Sequence, residues 1–180
     1  MKHTNPTAQR ILGFSLIEIL LVISIVVAGT LFAVPQINSI LLAKKVETTA
    51  SGIFKDLSLA RITAIQTGVP VVLCPGEPEA GCRTEPRWSE GWFGFLDHNR
   101  DQALSENERI ILKTLTPHNL KISWRAPHWV RFDSLGSAWP NGHFRVCDES
   151  ATHKSAVILY FTGRARRASH APSGLEIDCS

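Results

Sequence analysis

The sequence predicts an α+β protein, in which one long N-terminal helix packs on an antiparallel β-sheet domain. Residues 14–67 follow an apolar and then an amphipathic helical pattern. From Gly68 onward, short segments rich in β-branched and aromatic residues alternate with Gly, Pro, Asn and Asp. About seven short strands after one helix are typical of an α+β domain. The predicted strands lie within residues 69–74, 91–97, 109–115, 120–125, 142–147, 155–161 and 174–179.

The first half of the predicted helix has the composition of a membrane span. Residues 14–34 contain a single charge, Glu18. At about 1.5 Å per residue, a helix over residues 14–37 crosses a hydrocarbon core of roughly 30 Å. Lys2 and Arg10 precede it, which predicts a cytoplasmic N-terminus and an exported remainder. A cleaved secretory signal peptide is the alternative, but the helical period continues beyond the apolar run, which argues against it.

Four cysteines lie in the exported part, and an even number there favours two disulfides over free thiols. Three pairings are possible. We favour Cys74–Cys82, which closes a loop rich in proline and glycine, and Cys147–Cys179, which would tie two strand ends together. A zinc site is the alternative, but the chain has no Cys-x-x-Cys motif and no suitably spaced histidine.

The polar segment 97–108 places four possible oxygen ligands at the offsets of an EF-hand loop: Asp97, Asn99, Asp101 and Glu108. Gln102 stands where such a loop needs glycine, and the flanking segments are predicted strands rather than helices. We therefore favour a polar loop between two strands over a cation site. We expect no cofactor.

No enzymatic motif is present. The seven histidines are scattered, and the chain has no H-E-x-x-H, G-x-S-x-G, phosphate-loop or dinucleotide fingerprint. We expect the protein not to be an enzyme.

Two segments combine positive charge with features that suit nucleic acid. Arg164, Arg166 and Arg167 form a cluster in a chain whose formal charge is only +3, with His170 close behind. Residues 123–132 interleave three aromatic side chains with Arg125 and Arg131, as single-stranded nucleic acid binding requires. For the arginine cluster, the alternative is a solvated turn. For residues 123–132, the alternative is a strand with one buried and one exposed face, and we favour that interpretation.

The N-terminal stretch "LGFSLIEILLVISIV" resembles the class III signal of type IV pilins and type II secretion pseudopilins. The resemblance implies cleavage by a prepilin peptidase after Gly13 and methylation of the new N-terminal Phe14. It also implies that Glu18 pairs with an N-terminal amine during filament assembly, where neither charge could remain alone in lipid. Removal of residues 1–13 takes away the two positive charges of Lys2 and Arg10, so the net side-chain charge falls from +3 to +1.

A second resemblance covers most of the remaining chain. The segments "LARITAIQTGVPVVLCPG", "WSEGWFGFLDHNRD" and "ERIILKT" are similar to the GspH/FimT family of minor pilins and pseudopilins. The resemblance implies a type IV pilin-like fold with residues 1–13 as leader, residues 14–37 as transmembrane and filament-core helix, and residues 38–180 as periplasmic or extracellular domain. In this division, the amphipathic helix continues to about residue 67.

The sequence Gly163-Arg164-Ala165-Arg166 resembles the Gly-Arg-x-Arg element of FimT-like minor pilins, which bind DNA during natural transformation. The resemblance implies that Arg164 and Arg166 contact phosphate, with Arg167 as an addition. The implied partners are DNA, other minor and major pilins, the prepilin peptidase and the inner membrane. Two alternatives remain open: a structural minor pilin or type II secretion pseudopilin without DNA binding, and an adhesin-like module.

Overall fold

The computed structural model describes residues 14–125, 128–172 and 174–179, without the side chains of residues 31–35. The chain divides into two compact units, Met1–Ile40 and Leu41–Ser180. The helix α1 (Leu16–Thr67) runs without a break, and the first strand begins four residues after its end. The α+β class predicted from the sequence is confirmed.

In the first unit, every described large apolar side chain is exposed. No helix among the residues with described side chains is both long and apolar enough to span a membrane. The predicted leader, residues 1–13 with Gly13, lies outside the described residues.

In the second unit, α1 buries one continuous stripe. Its members recur at intervals of four and three residues: Val46, Ala50, Ile53, Leu57, Ala60 and Ala64. This spacing keeps them on one helical face, and the three alanines allow the sheet to approach the helix closely. Gly68 follows the last helical residue; its φ of 69° is left-handed, and its N–H donates to the Ala64 carbonyl at 3.0 Å. Glycine adopts this conformation without steric cost, which stops the helix here.

The described residues form ten strands in two sheets, and every strand pair among them is antiparallel. The strands are β1 (Val71–Glu77), β2 (Gly81–Cys82), β3 (Trp92–Leu96), β4 (Ile110–Thr114), β5 (Leu120–Ser123), β6 (Val130–Phe132), β7 (Ala138–Trp139), β8 (Gly142–Asp148), β9 (Lys154–Leu159) and β10 (Ala165–Ala168). The first sheet has the order β4-β3-β1-β6-β7, with β2 paired to β1, and the second has the order β10-β9-β8-β5. A short 3-10 helix, Trp88–Glu90, precedes β3.

The core between α1 and the sheets is rich in tryptophan. Phe144 is packed between Trp88 and Trp124, with ring centroids 4.8 and 4.3 Å away. The carboxylate of Asp56 on α1 accepts hydrogen bonds from Trp92 Nε1 and from Thr114 Oγ1, each at 2.8 Å. These bonds tie the helix to β3 and β4 and give the buried indole N–H of Trp92 an acceptor.

Two strand predictions were wrong. Residues 174–179 pair with no strand of the described chain; instead, Ile177 is buried against Cys147 and Ala156 on β8 and β9. Residues 123–132 do not form one alternating strand, because β5 ends at Ser123 in one sheet and β6 begins at Val130 in the other.

Both disulfides favoured from the sequence are present, Cys74–Cys82 and Cys147–Cys179. The first joins β1 to β2. The second joins β8 to the C-terminal segment rather than to a strand end, which corrects one detail of the sequence interpretation.

Candidate nucleic-acid interface

The arginine cluster lies on a β-hairpin at the edge of the second sheet. Strand β10 pairs with β9 and lies at the end of the described strand order, in the register Ala165 to Leu159 and Arg166 to Ile158. The connecting turn is closed by two hydrogen bonds, from the Gly163 N–H to the Tyr160 carbonyl at 2.8 Å and from the Tyr160 N–H to the Arg164 carbonyl at 2.9 Å. The arginines are therefore carried by a hydrogen-bonded hairpin.

The hairpin turn is fixed against the rest of the domain at Gly163. This glycine has a φ of 73°, and a Cβ atom there would overlap the Gly136 carbonyl oxygen. The same oxygen accepts a hydrogen bond from Arg61 Nε of α1 at 3.0 Å. A second link joins the turn to β7, because the Ala138 N–H donates to the Phe161 carbonyl at 2.9 Å. The turn is thus bonded to β7 and lies against Gly136, which α1 holds through Arg61.

Strand alternation separates the three arginines into two groups. Ala165 packs against the main core, which places its face of β10 toward α1. Arg167 shares that face and donates from Nη1 to Ser51 Oγ of α1 at 2.7 Å. Arg166 points to the opposite face, where its Nε donates to the Tyr160 hydroxyl at 2.8 Å. Arg164, which immediately precedes β10, lines the same surface pocket as Arg166.

Arg164 and Arg166 are exposed and have no carboxylate within ion-pair distance among the described residues. Arg145 in the same sheet differs, because it pairs with Asp178 at 3.9 Å. His143 adds no charge to this face near neutral pH, because burial, and then the nearby Arg145, lower the pKa of its imidazole. The two arginines therefore carry positive charge that no acidic side chain of the described chain neutralises.

The three weaker basic candidates have different positions. Arg125 extends over Gly142, and its Nη1 donates to the Asn141 carbonyl at 3.3 Å. Arg131 belongs to the other sheet, in β6, opposite Trp139. His170 follows β10, and its Nδ1 lies 2.9 Å from the Ser169 hydroxyl.

Two of the three aromatic residues that accompanied Arg125 and Arg131 in the sequence are not accessible for base stacking. Trp124 and Phe132 are buried in the core. Trp129 is partly buried and lies against Trp139, with a centroid distance of 5.2 Å. The exposed aromatic residues beside the arginines are instead Tyr160 and Phe161, which the sequence interpretation missed. Their place before a Gly-Arg turn was the one local signal that could have identified them.

The acidic loop 97–108 uses its side chains to hold its own backbone. Asp97 Oδ1 accepts from the Asp101 N–H at 3.1 Å, and Asp101 Oδ1 accepts from the Ala103 N–H at 2.8 Å. Glu108 accepts from the backbone N–H groups of His98 and Ser105 at 2.8 and 3.0 Å. These bonds support the polar-loop interpretation.

The backbone at Gln102 nevertheless makes the turn for which the sequence lacks a glycine, with a φ of 61°. Asp97 is buried, and burial raises the pKa of its carboxyl, a change to which Glu108 and Asp101 also contribute. Among the described residues, no group of three or more His, Cys, Asp or Glu side chains is arranged to hold a metal ion.

Phe14 and Glu18, the residues assigned to methylation and assembly, lie at the start of the described chain. Phe14 precedes α1, and Glu18 occupies its first turn with an exposed side chain. Both are distant from the arginine hairpin in sequence, and the two sites belong to different units.

Comparison with known proteins gives a family match and a shared fold. The profile of the family described as Type II transport protein GspH matches residues 49–163. The solved type IV minor pilin FimU of Pseudomonas aeruginosa PAO1 is similar at 16% identity and a TM-score of 0.54, over 71% of this chain and 98% of that one. The minor pseudopilin EpsH of the Vibrio cholerae type 2 secretion system is similar at 13% identity and a TM-score of 0.51, over 71% and 98%. No curated protein matches the chain significantly.

Proposed function

We propose that this chain, which belongs to the GspH family of type II transport proteins, is a minor type IV pilin of FimT type. In this proposal it binds extracellular DNA for uptake in natural transformation. The observation that carries the proposal is the pair Arg164 and Arg166, which share one exposed face of an edge hairpin without a carboxylate partner among the described residues. A subunit that only assembles has no need of such a pair.

The chemistry of the pair suits the phosphate backbone. A guanidinium group stays charged at all physiological pH values and can donate two parallel hydrogen bonds to phosphate oxygens. Contacts to phosphate carry no sequence information, so binding is independent of sequence. With two or three phosphates neutralised, affinity is on the order of micromolar or weaker for one subunit. Several copies in one filament would gain through avidity.

In this proposal, the N-terminal unit anchors the subunit in the membrane and then packs it into the filament. Its described apolar side chains are exposed, and an apolar surface of this kind requires lipid or other subunits to cover it. In the proposed pathway, the segment 14–37 resides in the inner membrane until the prepilin peptidase has cut after Gly13 and methylated Phe14. The Glu18 carboxylate then pairs with an N-terminal amine as the subunit packs against other pilins.

A structural pseudopilin that primes a type II secretion filament is the second candidate. The family description and the similarity to EpsH favour it. It differs from the first candidate in one measurable property, since it requires assembly contacts but no affinity for DNA.

The test is DNA binding by the full chain in detergent micelles, measured by fluorescence anisotropy with a 30-base-pair duplex over a range of salt concentrations. Arg164→Gln and Arg166→Gln should each weaken binding to all sequences alike. Each should also reduce the slope of log affinity against log salt by about 0.9 for every phosphate that the protein no longer neutralises. Lysine at either position should restore part of the affinity, because it keeps the charge but not the two-donor fork.

Arg109→Gln is the matched control, because Arg109 is an exposed arginine just before β4 in the other sheet. It should leave affinity and salt slope nearly unchanged. Equal affinity of the folded double variant Arg164→Gln/Arg166→Gln and the parent chain would reject the DNA-binding proposal and favour the structural pseudopilin.

A further inference from the structure

A surface pocket of about 630 Å³ lies between the hairpin turn and the residue that precedes β8. Its volume is within the usual range of small-ligand sites. Five of the side chains that line it can bind a ligand through an aromatic ring, a cation or an amide: Asn141, Tyr160, Phe161, Arg164 and Arg166. The pocket therefore joins the two phosphate-binding candidates to two aromatic rings and an amide.

The aromatic residues of the pocket are unusually exposed for their size. Phe161 is 62% exposed and Tyr160 is 43% exposed. The backbone of Phe161 is nevertheless held in place, because its carbonyl accepts the hydrogen bond from the Ala138 N–H of β7 at 2.9 Å. Only the side-chain torsions of Phe161 then remain to be ordered when a flat apolar partner covers the ring. A nucleobase is such a partner, and stacking on an aromatic side chain is how proteins hold bases of single strands.

The polar groups of the pocket complement the remaining parts of a nucleotide. Arg166 donates one hydrogen bond from Nε to the Tyr160 hydroxyl, which holds the guanidinium beside the ring and leaves its terminal N–H groups for phosphate. Arg164 adds a second cation at the same pocket. The amide of Asn141 can both donate to and accept from a base edge.

We infer that this pocket holds an unpaired nucleotide, with its base stacked on Phe161 and its phosphates on Arg164 and Arg166. The inference rests on the DNA-binding function proposed above and narrows it to single strands and strand ends. Inside a duplex, both faces of each base are already stacked, so that a base must be flipped out before it can reach Phe161. Duplex DNA therefore uses the arginines alone.

The test compares two 12-nucleotide strands with the same number of phosphates, oligo-dT and its fully abasic analogue, on the full chain in detergent. The parent chain should bind oligo-dT about five-fold or more tightly than the abasic strand, which corresponds to about 1 kcal/mol or more of stacking. Phe161→Leu keeps an apolar side chain without a flat face. It should lower the affinity for oligo-dT to that for the abasic strand and leave duplex binding unchanged.

Leu115→Ala is the control, because Leu115 is an exposed apolar residue just beyond β4 in the other sheet. It should change no affinity. Equal binding of oligo-dT and the abasic strand by the parent chain would overturn the inference, and this comparison needs no variant to fold. If both strands bind equally and Arg164→Gln/Arg166→Gln abolishes both affinities, the pocket inference fails while the proposed function stands. If neither strand nor duplex binds, the proposed function itself fails.

Discussion

Among single residues, Gly163 decides where the two arginines are placed. Its left-handed φ and its contact with the Gly136 carbonyl leave no room for a side chain. The glycine of the Gly-Arg-x-Arg element is therefore a structural requirement of the turn, and the proposed phosphate chemistry belongs to Arg164 and Arg166.

Gly163→Ala should destabilise the protein by at least about 2 kcal/mol. A left-handed non-glycine residue costs about 1–2 kcal/mol, and the displaced Gly136 backbone adds to this. Gly68→Ala is the control, since Gly68 also has a left-handed φ but open space around its Cβ position. It should cost only about 1–2 kcal/mol. Chemical denaturation of both variants measures the difference, and equal destabilisation would show that the contact with Gly136 is not limiting.

The sequence predicted some of the candidate binding residues and missed others, for a physical reason. Arg164 and Arg166 could be identified because they belong to one contiguous four-residue motif. The opposite direction of Arg167 follows from the β9–β10 register, in which Ala165 must face the core. Asn141 lies beside the hairpin only because Gly142 pairs with Leu159. Both registers are set by the connecting turns and by which face of each strand is buried, so they follow from the packed sheet and cannot be inferred from the residues of one segment.

At the scale of elements, the C-terminal segment 174–179 is held by packing and a covalent bond rather than by strand pairing. Its short apolar composition predicted a strand, but these residues instead bury Ile177 on the sheet and bond Cys179 to Cys147. An apolar composition indicates burial and does not by itself require a hydrogen-bonded neighbouring strand.

The two disulfides should contribute unequally to stability. The Cys147–Cys179 bond spans 32 residues and the Cys74–Cys82 bond spans 8. Loop-closure entropy then gives about 4 kcal/mol for the first bond and about 2.5 kcal/mol for the second. Denaturation of the double alanine variants, Cys147→Ala/Cys179→Ala and Cys74→Ala/Cys82→Ala, under non-reducing conditions measures both values. Greater destabilisation on removal of the shorter loop would mean that local strain or packing outweighs chain entropy.

At the scale of the whole molecule, periodicity was sufficient for the fold class. The helical pattern ends near Gly68, and the short segments rich in β-branched and aromatic residues that follow it supply most of the strands. This pattern could not predict the strand order, which is β4-β3-β1-β6-β7 in one sheet and β10-β9-β8-β5 in the other. Neighbours such as β1 and β6 are about 60 residues apart in sequence, so local patterns carry no information about their pairing.

We propose that the N-terminal unit serves assembly and that the hairpin of the second unit binds DNA. The most direct test replaces Arg164 and Arg166 with glutamine in the native host and counts both transformants and pili. Transformation should fall at least about ten-fold while pilus number stays normal, because removal of about 1.4 kcal/mol of binding free energy already reduces occupancy ten-fold. Unchanged transformation by a variant that is folded and present in pili would contradict this assignment, as would a decrease in pilus number with DNA affinity intact.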